Sequence, residues 1–266
     1  HDEIFEKLIK NSLTNVVLGD YGLDHRVVNK DLRKDKIDEY NIPFLHSGSS
    51  VNRYSLIKKE FNWSKPSEKE RFNKLKNEKV IITTAISTRI KGTIKPKGLV
   101  PGTNVGVLYL KNIENLNLKA ALLILNSNLI GYFIHKYTLN FSNLTIYLHK
   151  YYTKLIPIKI PQNQESFIKL ADYMLFLNQT EERRESEKEL IEFFDRQIID
   201  LLVYELYFFN ELKANLFNLI FKYLVDISNI DSDFKKLNKI KEVYNNLLNN
   251  EEIKNTIKKI KSYSLI

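Results

Sequence analysis

The apolar positions of this chain change rhythm near Pro161. Before it they come in short runs, of which 80-VIITTAI-86 is the strongest, β-branched and flanked by polar residues as in a buried strand. This predicts strands near 79–90 and 104–110, joined by a Gly/Pro loop. Earlier residues predict mixed short elements over 1–45, a break at Asn41-Ile42-Pro43, and a turn at Ser47-Gly48-Ser49-Ser50. The charges of 67–76 suit a solvated helix. Leu118, Leu122, Leu125, Leu129 and Phe133 fall three or four apart, so 118–133 reads as a helix, with Asn126-Ser127 in its middle. The prolines of 154-KLIPIKIP-161 suit an edge strand or an exit from the sheet. After Pro161 helical spacing takes over. Phe167, Leu170, Ala171, Met174 and Leu177 predict a helix over 164–178, and Leu190, Phe194, Ile198 and Leu201 a long one from about 183 to 209. Two or three more helices follow over 211–266. The pattern predicts an α+β fold: a mixed β-sheet domain over 1–162, with the 118–133 helix packed on it, then a helical C-terminal region over 163–266.

Charge sharpens this division. The 266 residues carry a net +9, unevenly placed. Residues 71–160 hold fourteen Lys or Arg against two acids, Glu78 and Glu114, whereas 163–210 hold five basic and eleven acidic residues. An acid-poor block on hairpin and loop positions favours a polyanionic partner. With 43% hydrophobic residues the chain reads as globular. No run of about eighteen uncharged apolar residues suits a membrane span. The absence of cysteine rules out disulfides and thiolate metal sites and fits a cytoplasmic protein. The chain starts at His1, which suggests a fragment of something longer.

Catalytic signatures are missing from the sequence. All six prolines are isolated, so there is no Pro-Pro-aromatic adenine-binding motif, and the eight glycines form no G-x-G loop or P-loop. His25, His46, His135 and His149 show no metal-ligand spacing. Glu181-Glu182 belongs to a solvated helix, and nothing like a nucleophile elbow is present. No catalytic, cofactor or metal residue is expected.

Four segments in order carry a resemblance: 43-PFLHSGSSVNRYSL-56; 79-KVIITTAISTRIKGTI-94; 102-GTNVGVLYLKN-112 with 121-ALLILNSNLIGYF-133; and 154-KLIPIKIP-161 with 198-IIDLLVYELYF-208. Over roughly residues 40–208 the chain resembles the TaqI-like C-terminal specificity domain of N6-adenine DNA methyltransferases, including fused type II restriction–modification enzymes. Thr83-Thr84 stands where many relatives have Arg or Lys, so no contact is carried over from that position. The resemblance implies a target-recognition domain that binds double-stranded DNA, while a separate catalytic domain of the parent chain holds S-adenosylmethionine and the flipped adenine.

On that reading Lys91, Lys95, Lys97 and Lys150 are expected at phosphates. Arg89 is expected at a guanine edge and Asn140 or Asn143 at adenine, with Arg53, Ser87, Thr88 and Tyr147 as further contacts. The C-terminal helices are expected to pack against the catalytic domain or the recognition domain. Competing readings are part of a type I restriction specificity subunit, a helical interaction module that never touches DNA, and, with least support, a nuclease.

Overall fold

The computed structural model describes residues 3–10, 12–24, 32–57, 61–111, 113–138 and 145–263. The fold is α+β. The chain divides into a sheet unit, residues 14–118 and 130–158, and a helical unit, residues 1–13, 119–129 and 159–266. These units do not follow a single cut at 162. The stretch 119–129, expected on the sheet, clusters with the C-terminal helices.

In chain order the strands are β1 (Val17–Tyr21), β2 (Ile42–Leu45), β3 (Val51–Asn52), β4 (Ser55–Leu56) and β5 (Asn62–Ser64). Then come β6 (Ile81–Thr84), β7 (Ile86–Ser87), β8 (Gly92–Ile94), β9 (Val100–Pro101), β10 (Val105–Leu110) and β11 (Ile146–Tyr147). The main sheet has the order β1-β10-β6-β8, antiparallel throughout. A second, mixed sheet runs β5-β2-β9, with β2 and β9 parallel. Two short ladders, β3–β4 and β7–β11, complete the unit.

The isoleucine run explains why β6 is internal. Ile81, Ile82 and Thr83 are all buried, so both faces of β6 are covered, while β10 and β8 pair with its two edges. Phe44, Leu45, Phe72, Leu75, Val100, Val105 and Val107 join Ile82 in the core beneath it. The helix Glu70–Asn77 supplies Phe72 and Leu75 to that core.

The expected strand over 79–90 stops at Thr84. Ala85 takes its hydrogen bonds elsewhere: its N–H donates to the Asn104 carbonyl at 3.2 Å and its carbonyl accepts from Leu148 N–H at 2.8 Å. The chain thereby leaves the main sheet and pairs as β7 with β11. It returns as β8 to pair with β6. What the sequence presents as one strand and one loop is therefore three short strands.

The helical unit follows its spacing more closely. The helix Glu165–Leu177 buries Phe167, Leu170, Ala171, Tyr173, Met174 and Leu177. Helix runs from Glu181 to Tyr207 with an interruption at Glu187 and a widening to π geometry over Phe193–Ile199. Asp233–Leu248 and Glu251–Lys261 close the chain, each capped by a side chain, Ser232 and Asn250 respectively. The helix expected over 118–133 breaks at Ser127 into Leu118–Asn126 and Asn128–Phe133.

That break is built. Ser127 Oγ donates to the Ile124 carbonyl at 2.7 Å. Asp200 accepts from both the Asn128 N–H at 2.8 Å and its Nδ2 at 2.6 Å. Further along the same segment, Glu205 accepts the N–H groups of Leu216 and Phe217 at 2.9 and 2.8 Å, and Tyr207 Oη accepts from Lys159 N–H at 3.2 Å. Asn128, Lys159, Asp200, Glu205 and Tyr207 all lie in the segments that carry the resemblance. Their work is to hold the helical unit together.

Among the described residues no single helix is long and apolar enough to cross a membrane.

Candidate nucleic-acid interface

The sheet unit gathers several of the expected contact residues at one end of the β6–β8 hairpin. Thr83 pairs with Gly92 there, and residues 85–91 form the connection. Lys91 N–H donates to Thr83 Oγ1 at 3.2 Å, and the Lys91 side chain is exposed. The β3–β4 hairpin docks at the same end through Tyr54 N–H to the Gly92 carbonyl at 2.9 Å. Arg53, half-buried on its turn, lies over the Tyr54 ring at 5.5 Å.

The β7–β11 ladder is built on this connection, which contains β7. Ile86 pairs with Tyr147 and Ser87 with Ile146, so Ile86 and Tyr147 share one face. That face is open: Ile86 is 45% and Tyr147 51% exposed, while Ser87 is buried on the other side. The ladder is fixed from behind by Leu148, buried, whose N–H bonds Ala85. It is fixed again by the short helix Lys150–Thr153. Thr153 Oγ1 accepts from Gly19 N–H at 2.6 Å. A Cβ at position 19 would come within 2.7 Å of that oxygen, so the approach needs glycine in β1.

Tyr147 is held in place by its neighbours. Tyr21, the last residue of β1, meets its ring edge-on at 5.8 Å and lies 5.9 Å from the His149 ring. Burial, then the neighbouring Tyr147, raises the Tyr21 pKa. His149 caps the following helix, its Nδ1 accepting from Tyr151 N–H at 3.2 Å. Tyr151 is 60% exposed, and the Lys154 ammonium lies over its ring at 4.8 Å. Lys150 is exposed beside them. Among the described residues Lys91, Lys97 and Lys150 make no ion pair.

Two expectations need correction. Lys95 is 2% exposed, and its ammonium donates to the carbonyls of Lys76, Pro96 and Leu99, each at 3.1 Å. Its three donors are saturated within the fold, so it cannot serve as a phosphate contact. Burial lowers its pKa to about 8, against the opposing attraction of Glu78. Ser87 faces inward, where its Oγ accepts from Arg89 N–H at 3.3 Å, and it shapes the turn instead of meeting a base. Lys97 is exposed but lies past the far end of β8, where Lys95 N–H bonds Val80 and Gly98 N–H bonds Lys76. It is separated by the length of that strand from the set around Lys91.

Thr88 and Arg89 are half-buried in the connection itself, not on a strand. The Arg89 guanidinium packs over Gly131, where a Cβ would sit 3.6 Å from Cζ. Asn140 and Asn143 lie outside the described residues. Sequence reasoning missed Ile86, which reads as core, and the support that Tyr21 gives Tyr147. The only available signal for Ile86 was the small Ala85 between it and the strand, a position where the alternation could shift phase.

In the helical unit a cleft of about 610 Å³ is lined by Lys7, Lys159, Glu205, Phe209, Glu211 and Asn215, among others. Its two acids have partners: Glu205 holds backbone amides and Glu211 lies 3.6 Å from Lys7. Among the described residues no three His, Asp or Glu come together as a metal site. No family model matches the chain, and no curated protein matches it in sequence.

Proposed function

We propose that this chain is a sequence-specific double-stranded DNA recognition domain of an N6-adenine DNA methyltransferase or fused restriction–modification enzyme. Its catalytic partner domain would hold S-adenosylmethionine and the flipped base. The observation that carries the reading is the surface around β7–β11. It presents exposed Ile86 and Tyr147 beside exposed Lys91 and Lys150, cations without an ion pair among the described residues. Of the block 71–160, the parts that belong to this unit, 71–118 and 130–158, hold twelve Lys or Arg against two acids, an excess that attracts phosphate. The ordered resemblance over residues 40–208 supports the same reading. So does the way its third and fourth segments supply Asn128, Asp200, Glu205 and Tyr207 to one built framework.

The division of labour follows from chain chemistry. Exposed lysines on flexible stems suit phosphates, where a point charge needs no fixed geometry. Residues on a pinned ladder suit base edges, where position decides. The test is binding of the purified chain to a random-sequence 30-base-pair duplex across a salt series. The expected result is affinity that falls with salt at a log–log slope of roughly −2 to −4, from two to four neutralised phosphates. Binding that ignores salt, or none at low salt, would reject the reading and favour a protein-binding helical module.

A further inference from the structure

The β7–β11 ladder has a property that generic phosphate attraction does not require. Its outward face is apolar. Ile86 and Tyr147 lie directly opposite each other, each about half exposed, while the polar residue of β7, Ser87, points inward. An exposed Ile on a solvent-facing strand contributes little to stability and exposes apolar area to water. The ladder is also pinned on three sides: Leu148 bonds Ala85, Thr153 bonds Gly19, and Tyr21 abuts the Tyr147 ring. Its position is thus set before any partner arrives.

A two-stranded antiparallel ribbon has the width of the B-DNA major groove. The groove floor offers one apolar group, the C5-methyl of thymine, and an aliphatic side chain on a ribbon is the complement to it. Lys91 and Lys150, exposed and attached to the two strands' flanking segments, are available for phosphates of the groove walls. The surface combines an apolar centre with cations on the flanking segments of both strands. That arrangement matches a methyl-bearing groove between two phosphate rows better than it matches an apolar protein partner.

We infer that β7–β11 enters the major groove and that Ile86, backed by Tyr147, reads the C5-methyl of thymine at one or more target positions. The inference rests on the DNA-binding reading above and adds the base and the chemical group recognised.

The experiment compares two duplex pools of random sequence, one made with thymine and one with uracil, which lacks only the methyl. Bound duplexes are selected and amplified over several rounds with each nucleotide set, then tested for affinity. The wild-type chain is expected to hold selected thymine duplexes roughly three- to tenfold more tightly than the same sequences with uracil, the worth of one or two methyl contacts. Ile86→Ala is expected to remove that preference while leaving the salt slope unchanged, and Ile86→Val to keep most of it. Because Ile86 is half exposed, both variants should melt with the wild type. Equal affinity of the wild type for both selected forms would overturn the methyl contact while leaving DNA binding intact. Equal loss on both forms in Ile86→Ala would also overturn it and make Ile86 a structural residue. Failure of the wild type to bind either pool in a salt-sensitive way would overturn the DNA reading, and this inference with it.

Discussion

In the helical unit Asp200 gives both carboxylate oxygens to Asn128, and Glu205 gives both to the amides of Leu216 and Phe217. Asp172 pairs with Lys119 at 2.6 Å, and Arg183 with Asp233 at 2.6 Å. In the sheet unit Lys91, Lys97 and Lys150 stand exposed with no ion pair among the described residues. The two units thus use charge for different ends. Buried charge is tolerated only where partners saturate it, and then it fixes geometry. An excess of exposed charge of one sign gives almost no stability and adds self-repulsion, a cost that the anionic partner proposed above would offset. Lys95 sharpens the point. It belongs to the basic sheet unit by sequence but follows the rule of the helical unit by burial.

The largest effect should come from breaking the inward rule. Glu205→Ala leaves two amides at 216 and 217 without their acceptor, next to a cavity. A loss of about 3 kcal/mol in urea unfolding is expected. Glu205→Gln, which keeps one acceptor oxygen, should cost about half. Burial also raises the Glu205 pKa against the pull of the amides. The folded chain therefore binds more protons than the unfolded one just above pH 4.5, and this group's contribution declines as pH rises through its folded pKa. Glu205→Gln should flatten that decline. A folding free energy unchanged in both variants would mean that the 209–221 region is not coupled to global unfolding.

Lys95→Met should follow, at about 2 kcal/mol, since three carbonyls lose a charged donor in a buried place. The sign of the pH effect is opposite to that of Glu205. With a folded pKa near 8 and an ordinary value of 10.5, the unfolded chain holds more protons between the two. Wild-type stability should thus rise with pH across that window relative to Lys95→Met. Salt-dependent DNA binding by the folded Lys95→Met chain should match wild type, because no phosphate reaches this ammonium. A shallower salt slope in that variant would return Lys95 to the interface.

These two residues show what was legible in the sequence. The α+β class, the helix over 165–177 and the late helical region follow from the period of apolar residues, because helices are local and their pattern repeats. The partition of 79–97 into β6, β7 and β8 was not legible. It depends on Ala85 bonding Asn104 and Leu148, residues 19 and 63 positions away, which no local pattern encodes. The fate of Lys95 was hidden for the same reason. A lysine in a Gly/Pro turn looks like its neighbour Lys97, and only the inward-turned carbonyls of residues 76, 96 and 99 separate them. For the candidate interface, composition pointed to the basic segments of the sheet unit, and Lys91, Tyr147 and Lys150 are exposed there. It could not tell that Ser87 points inward while Ile86 points out.

The outward rule is tested by salt. Lys91→Ala with Lys150→Ala should lower the magnitude of the log–log salt slope by up to about 2 and weaken all duplexes alike. Stability should shift by less than about 0.5 kcal/mol, as expected for exposed, unpaired side chains. Lys97→Ala, beyond the far end of β8, should leave the slope nearly unchanged. If Lys97 proves equivalent to the other two, then DNA runs the length of the hairpin and the contact surface is larger than the β7–β11 end.

The smallest effect is expected at Gly131, which lies under Arg89. Arg89 shares features of both rules, being a half-buried cation on the basic unit. A Cβ added at Gly131 would lie 3.6 Å from Cζ and Nε of Arg89 and 3.7 Å from Nη2, ordinary contact distances. Gly131→Ala should therefore fit without moving the guanidinium. It should also favour the helix Asn128–Phe133 by up to about 0.5–1 kcal/mol through lower backbone entropy in the unfolded chain. A melting temperature equal to or above wild type, with duplex affinity within about twofold, is the expected pair of results. A tenfold loss of affinity with normal melting would carry different information. It would mean that Arg89 must sink toward the helix when DNA is bound, so that the methyl group blocks a motion and not a resting contact. Arg89 would then be the point where the sheet unit rearranges on binding, whereas the pinned β7–β11 ladder beside it stays still.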